Sequence, residues 1–121
     1  MRIRLAALAC LTASTAAAAP IEPLTHYQPW PEPCSLSVDF GSICCGIDGE
    51  LSQRVRRAVI ADKRVTRAFA RGWGEEGEFT FCLVTRTRGD ARALAARYGA
   101  WAKARPNPEL TKVAFGRARG P

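Results

Sequence analysis

The stretch that decides the fold is residues 35–59, which read SLSVDFGSICCGIDGELSQRVRRAV. Its first six residues alternate between polar and apolar, which predicts a half-buried strand over 35–40. After a turn at 41–46, apolar residues recur at helical spacing at Ile47, Leu51, Val55, Ala58 and Val59. This spacing predicts an amphipathic helix that ends near Asp62.

The downstream sequence predicts a hairpin, a second helix and a last strand. The apolar and β-branched runs at 65–73 and 78–87 flank a glycine-rich segment, which indicates a hairpin. The sequence Thr87–Asp90 resembles a capping box and opens a second amphipathic stretch, which prolines at 106 and 108 stop. Alternation at 111–115 predicts a short final strand.

The predicted order of elements is therefore β-α-β-β-α-β. Two β-α-β units joined by a hairpin specify the α+β, ferredoxin-like split arrangement, with four antiparallel strands and both helices on one face. We place this single domain in residues 34–116. Residues 20–33 are rich in proline, which favours an extended arm outside the domain, and residues 117–121 are expected to be a flexible tail.

Residues 1–19 have the pattern of a secretory signal peptide. Arg2 and Arg4 precede a short apolar run at 5–11, and small residues lead to cleavage between Ala19 and Pro20. The apolar run is too short for a membrane span, so no transmembrane segment is expected after cleavage. The Ala- and Arg-rich usage is typical of a GC-rich bacterium, which makes the periplasm or the medium the expected location.

Four cysteines remain after that cleavage: Cys34, Cys44, Cys45 and Cys82. An even number of cysteines in a small exported domain favours disulfides. A ring between adjacent residues would be strained, so Cys44–Cys45 ranks last among the possible pairings. Either other pattern connects the Cys44-Cys45 segment to both Cys34 and Cys82, and one bridge with two free thiols stays as an alternative.

The turn at Gly41–Gly46 lies before a predicted helix, where the helix dipole lowers the pKa of a thiol. This arrangement resembles heavy-metal-associated domains, which share the β-α-β-β-α-β order and bind a soft cation through Cys-x-x-Cys in this loop. Here the cysteines are adjacent and no Met precedes them. The resemblance implies, as an alternative to a protein without cofactor, a soft-metal site such as a copper site at Cys44, Cys45 and Cys82.

Gly72, Gly74 and Gly77 match the dinucleotide-binding fingerprint in spacing. However, this segment links two predicted strands, and it places Glu75 and Glu76 where a phosphate would lie. The glycines therefore indicate a hairpin turn that needs positive φ.

The chain of 121 residues carries a formal charge of +7, which suits an acidic protein or an anionic envelope surface as partner. Nucleic acid is not expected. Compared with RNA-recognition modules, the segment 76–82 carries acids where those modules have a base, and export separates the protein from RNA.

No Ser/His/Asp triad can be assembled, because the only histidine, His26, lies in the arm. Carboxylates at Asp48 and Glu50, and the acidic cluster at 75–78, leave a small acid/base enzyme as a second alternative.

Residues 40–48 and 76–82 resemble segments of small exported bacterial proteins with no assigned activity. The resemblance implies a secreted or periplasmic α+β domain and carries no catalytic residue over. The signal peptide, the even cysteine count and the absence of a catalytic set lead to one main expectation: an exported, disulfide-stabilised, non-enzymatic domain that binds a protein or an envelope surface.

Overall fold

The alternating and helical patterns of the sequence fold as strands and helices, with one strand more than the sequence predicted. The computed structural model describes residues 20–116. Its strands are β1 (Ile21–Leu24), β2 (Leu36–Phe40), β3 (Val65–Gly72), β4 (Phe79–Thr85) and β5 (Thr111–Phe115). Its helices are α1 (Gly49–Ala61) and α2 (Arg88–Lys103), and a 3-10 turn at Pro108–Leu110 leads into β5. The α+β class predicted from the sequence is confirmed.

The five strands form one mixed sheet in the order β1-β3-β4-β2-β5. β2 pairs antiparallel with β4 and β5, β3 pairs antiparallel with β4, and β1 pairs parallel with β3. The prediction of four strands therefore missed β1. Pro23 argues against a strand because proline lacks the N–H that a central strand needs, but β1 lies at the edge of the sheet that residues 20–116 form.

Both helices pack on the same face of the sheet, which we call the helix-covered face. Its core joins buried residues of α1 (Leu51, Val55, Val59) and α2 (Ala91, Leu94, Tyr98, Ala102) to buried residues of the strands (Leu36, Val38, Phe40, Val65, Ala68, Phe81, Leu83). Because side chains alternate between the two faces of a strand, the three apolar side chains of β2 all lie on this face. There they pack against the apolar sides of the two helices.

Capping side chains set the starts of both helices. The carboxylate of Asp48 accepts a hydrogen bond from the N–H of Leu51 (3.1 Å), so α1 begins at Gly49 and Ile47 packs against the core from the preceding loop. The hydroxyl of Thr87 accepts from the N–H of Asp90 (3.0 Å), as the capping-box resemblance predicted.

The opposite face, which we call the arm-covered face, carries the proline-rich arm. Leu24, Trp30 and Cys34 pack there with Phe69 and Cys82. The arm therefore packs on the sheet and contributes a strand to it.

Two arginine side chains of β3 bind the same arm. The guanidinium of Arg71 stacks on the ring of Trp30, 4.0 Å from its centre, and donates a hydrogen bond to the carbonyl of Gln28 (2.9 Å). Arg67 pairs with Glu22 and Glu32 of the arm. The predicted signal peptide, its cleavage residue Ala19 and the predicted tail lie outside the described residues. Between residues 20 and 116, no helix is long and apolar enough to cross a membrane.

Candidate functional site

The loop that follows β2, residues 41–48, is anchored at one end of the sheet, and we call it the cysteine loop. The N–H of Gly41 donates to the carbonyl of Leu110, just before β5 (2.7 Å). The hydroxyl of Ser42 donates to the carboxylate of Glu76 in the hairpin turn and accepts from the N–H of Gly46. The cysteine loop is therefore held both by the segment before β5 and by the β3–β4 hairpin turn.

Arg105 binds two acidic side chains at the start of α1, next to the cysteine loop. Its Nε lies 2.7 Å from Oδ2 of Asp48, and its Nη2 lies 3.2 Å from Oε2 of Glu50. Burial raises the pKa of Asp48, but the hydrogen bond from Arg105, the N–H of Leu51 and the charge of Arg105 outweigh burial. The pKa of Asp48 therefore lies below its ordinary value, and the carboxylate is ionised at neutral pH.

A cleft of about 530 Å³ lies between the cysteine loop and the segment that carries Arg105. Cys44 and Cys45 line it, and both are exposed. Across the cleft lie Asn107 and Glu109. The cleft therefore combines two sulfur atoms with polar groups at an open surface.

The structure pairs Cys44 with Cys45, whose sulfur atoms are at disulfide-bonding distance and whose Cα atoms are 3.8 Å apart. This pairing was ranked last from the sequence, and that ranking is wrong. Because β2 pairs Ser37 with Cys82 and Phe40 with Phe79, the cysteine loop begins beyond the end of the β2–β4 ladder. Both of its cysteines therefore lie past the strand end that is opposite Cys82, and among the cysteines of residues 20–116 each is at bonding distance from its neighbour.

The partner of Cys34 is Cys82. Cys34 and Cys82 are at disulfide-bonding distance, with Cα atoms 5.2 Å apart, and they are 6% and 0% exposed. The structure therefore separates Cys82 from Cys44 and Cys45, with which it was grouped as a soft-metal ligand. Among residues 20–116, no group of three or more His, Cys, Asp or Glu side chains has the geometry to hold a metal ion.

Three of the carboxylates considered for acid/base chemistry have structural contacts. Asp48 caps α1 and binds Arg105, and Glu76 accepts from Ser42. Glu78, 9% exposed, folds back and accepts a hydrogen bond from the N–H of Glu76 (2.7 Å). These contacts stabilise the turn and the helix start.

The glycine motif lies in the β3–β4 hairpin turn, as its sequence context predicted. Gly77 has a φ of +86°. A Cβ added at Gly74 would come within 2.1 Å of the Glu78 carboxylate, so this glycine leaves room for the side chain that folds back.

A second feature lies on the outer surface of the two helices. The half-buried ring of Trp101 in α2 contacts two guanidinium groups: Cζ of Arg54 from α1 lies 3.9 Å from the ring centre, and Cζ of Arg97 lies 4.9 Å from it. We call these three residues the Arg–Trp–Arg stack. Stacking of this kind orients the guanidinium plane while leaving its N–H groups free to bind.

The two helices that carry the stack are rich in basic residues. α1 carries Arg56 and Arg57 in addition to Arg54, and α2 carries Arg88, Arg92 and Lys103 in addition to Arg97, whereas their only acids are Glu50 and Asp90. None of the ion pairs found in residues 20–116 involves Arg54, Arg57, Arg97 or Lys103. Exposed Ile60 adds an apolar side chain to α1. Arg56 packs over Phe79 and Phe81, and Arg88 and Arg92 pack over Phe115, away from Trp101. We therefore call the exposed part of the two helices that carries Arg54, Arg57, Arg97 and Lys103 the basic helical face.

Sequence reasoning located only part of this face. The helical periodicity puts Arg54 and Arg57 off the apolar positions of α1, but it puts Trp101 on the apolar stripe of α2. The spacing of Arg97 and Trp101, four residues apart on one helix, was a usable signal. The contact between Trp101 and Arg54 depends on how the two helices pack against each other.

Comparison with protein-family models, with curated proteins and with solved structures gives no match.

Proposed function

We propose that this chain is an exported, disulfide-stabilised binding domain whose basic helical face docks on an anionic, phosphate-bearing surface of the cell envelope. The observation that carries the proposal is the Arg–Trp–Arg stack. It holds two guanidinium groups from different helices on one half-buried indole, and neither group forms an ion pair with a carboxylate of residues 20–116.

Electrostatics favours such a surface as the partner. Each Lys or Arg near an anionic membrane contributes about 1 kcal/mol of attraction at physiological salt. Guanidinium groups bind phosphate through two parallel N–H donors, and tryptophan is enriched at the membrane–water interface. The basic helical face combines these groups with exposed Ile60, whereas the acids Glu75 and Glu76 belong to the β3–β4 hairpin turn.

Two further parts of the proposal concern location and fold. The cysteine pairs at disulfide-bonding distance support an oxidising compartment, in line with the signal peptide predicted for residues 1–19. We also propose that β2–β5 with the two helices form a ferredoxin-like unit. The order β3-β4-β2-β5, with three antiparallel pairings and both helices in one core, supports this assignment, and β1 is then an addition at the edge.

The test is binding to lipid vesicles. Protein exported to a bacterial periplasm and purified is mixed with phosphatidylcholine vesicles with and without phosphatidylglycerol, and the bound fraction is measured by sedimentation over a range of salt. We expect binding only to the anionic vesicles, with an affinity that falls as salt rises. The variant R54Q/R97Q should bind about ten- to thirtyfold more weakly, because it removes two oriented charges.

A matched control separates the stack from net charge. The variant R86Q/K112Q loses the same formal charge, at an exposed residue before α2 and at a β5 residue opposite Asp39. Val113 packs on the helix-covered face, so its neighbour Lys112 points to the other side of the sheet. This control should lose less than about threefold in affinity. Equal loss in both variants, or equal binding to neutral vesicles, would contradict docking by the basic helical face.

Soft-metal binding is a second proposal, with Cys44 and Cys45 as the two protein ligands. It rests on the exposure of Cys44 and Cys45, whose reduction would give two adjacent thiols at the cleft. Uptake of one copper(I) ion by the reduced protein, lost in C44S/C45S, would support it. Copper uptake that persists in that variant would contradict it.

A further inference from the structure

We propose that Cys44–Cys45 is a thiol–disulfide exchange site that accepts two electrons from a dithiol partner, while Cys34–Cys82 stays oxidised. The proposal is independent of vesicle binding by the basic helical face. It rests on the different surroundings of the two cysteine pairs and on the adjacency of Cys44 and Cys45.

Access separates the two pairs. Exchange requires a thiolate to reach a disulfide sulfur, so its rate depends on exposure of that sulfur. Cys34 and Cys82 are 6% and 0% exposed and lie under the arm with Trp30 and Phe69. Cys44 and Cys45 are exposed and line an open cleft of about 530 Å³ that has room for the attacking group.

Opening the exposed pair would leave the fold intact. The cysteine loop keeps its hydrogen bonds from Gly41 to Leu110 and from Ser42 to Glu76, and Asp48 keeps its contacts to Leu51 and Arg105. None of these contacts passes through a cysteine side chain. The Cys34–Cys82 pair, in contrast, joins positions 48 residues apart and attaches the arm to β4.

The reaction balances with a dithiol as the reductant. One thiolate of the dithiol attacks the sulfur of one loop cysteine, the Cys44–Cys45 bond breaks, and the neighbouring cysteine leaves as a thiolate that takes up a proton. The second thiol of the partner then attacks the partner's first sulfur atom, which is bonded to the loop cysteine in the mixed disulfide. This attack forms a disulfide within the partner and releases the loop cysteine as a thiol. The dithiol loses two electrons and two protons, and the cysteine pair gains them.

Adjacency makes the site selective for dithiols. In a mixed disulfide with a monothiol, the free neighbouring cysteine is held next to the new bond at high effective concentration and expels the monothiol. A dithiol escapes this return step because its second thiol completes the transfer. The partner class is therefore a dithiol, either a small molecule or a protein with a cysteine pair.

The first experiment measures which cysteines open under native conditions. The folded protein is treated with graded dithiothreitol, alkylated, and cleaved before aspartate. This cleavage separates Cys34 in residues 20–38, Cys44 and Cys45 in residues 39–47, and Cys82 in residues 62–89. We expect no label without reductant, and labelling of 39–47 at least tenfold faster than labelling of 62–89. Label without reductant, equal rates, or a resistant Cys44–Cys45 pair would each overturn the proposal.

The second experiment tests adjacency with a single substitution. The protein is incubated with a mixture of reduced and oxidised glutathione, and its intact mass is recorded. The parent protein should accumulate no glutathione adduct, whereas C45S should carry one glutathione on Cys44, because the neighbouring thiol that would expel it is absent. Equal adduct formation by the parent protein and C45S would refute the selectivity for dithiols. Unchanged far-UV circular dichroism verifies that C45S is folded.

Discussion

The two cysteine pairs of this protein occupy contrasting surroundings. Cys34–Cys82 is buried on the arm-covered face and joins the arm to a strand in the middle of the sheet. Cys44–Cys45 is exposed in a loop whose ends are fixed by hydrogen bonds to other elements. The same bond between sulfur atoms therefore has different consequences: the first constrains the chain, and the second is available for chemistry.

The contrast shows that the value of a disulfide depends on the chain it closes and on its exposure. A bridge over a long loop removes much conformational freedom from the unfolded chain, and a bridge between neighbours removes little. A buried bridge resists exchange, and an exposed one permits it. Stability is thus expected to depend on the arm-covered face, and redox behaviour on the cysteine loop.

The largest expected effect is that of removing the buried pair. C34A/C82A should lower the free energy of unfolding by about 3–4 kcal/mol, because 48 residues separate the two cysteines. Urea unfolding followed by tryptophan fluorescence gives the value. The matched variant C44A/C45A should lose less than about 1 kcal/mol, since it releases a ring between adjacent residues. Equal losses would remove the distinction between the two pairs.

A smaller effect is expected from the contacts that hold the cysteine loop. D48A removes the N-cap of α1 and the ion pair to Arg105, and it should cost about 1–2 kcal/mol of unfolding free energy. E50A serves as its control, because the Glu50 side chain is 82% exposed and pairs with the same arginine. It should cost less than about 0.5 kcal/mol. Thermal unfolding measures both variants. If D48A and E50A lose a comparable amount of unfolding free energy, Asp48 does not anchor the loop.

The smallest effect is the acid dependence of that same anchor. The pKa of Asp48 is below the ordinary 3.8 in the folded protein, so the folded state binds fewer protons than the unfolded state. The stability that this carboxylate contributes is complete above pH 3.8 and is lost as the pH falls through the lower folded-state pKa. Asp62, beside Arg64, follows the same rule.

D48N should therefore show a shallower loss of unfolding free energy between about pH 5 and pH 2 than the parent protein. Urea unfolding at a series of pH values measures it. An unchanged slope would show that Asp48 titrates alike in both states.

Much of the fold could be predicted because its signals are local. The alternation at 35–40 and the capping contact of Thr87 depend on residues a few positions apart, and both were predicted. Strand β1 was missed because Pro23 argues against a strand unless its edge position is known. The cysteine pairing was ranked wrongly because the ranking weighed ring strain without the register of β2 on β4.

The sequence by itself determined the α+β class, the order of the helices and strands in residues 34–116, and the basic character of α1. These properties follow from periodicity, capping residues and composition, which act over a few neighbouring positions. Only the tertiary structure decided that the arm joins the sheet, that Cys34 reaches Cys82, and that Arg54 contacts Trp101. Those contacts join residues distant in the chain, and their partners are fixed by strand register and helix packing, which no local pattern encodes.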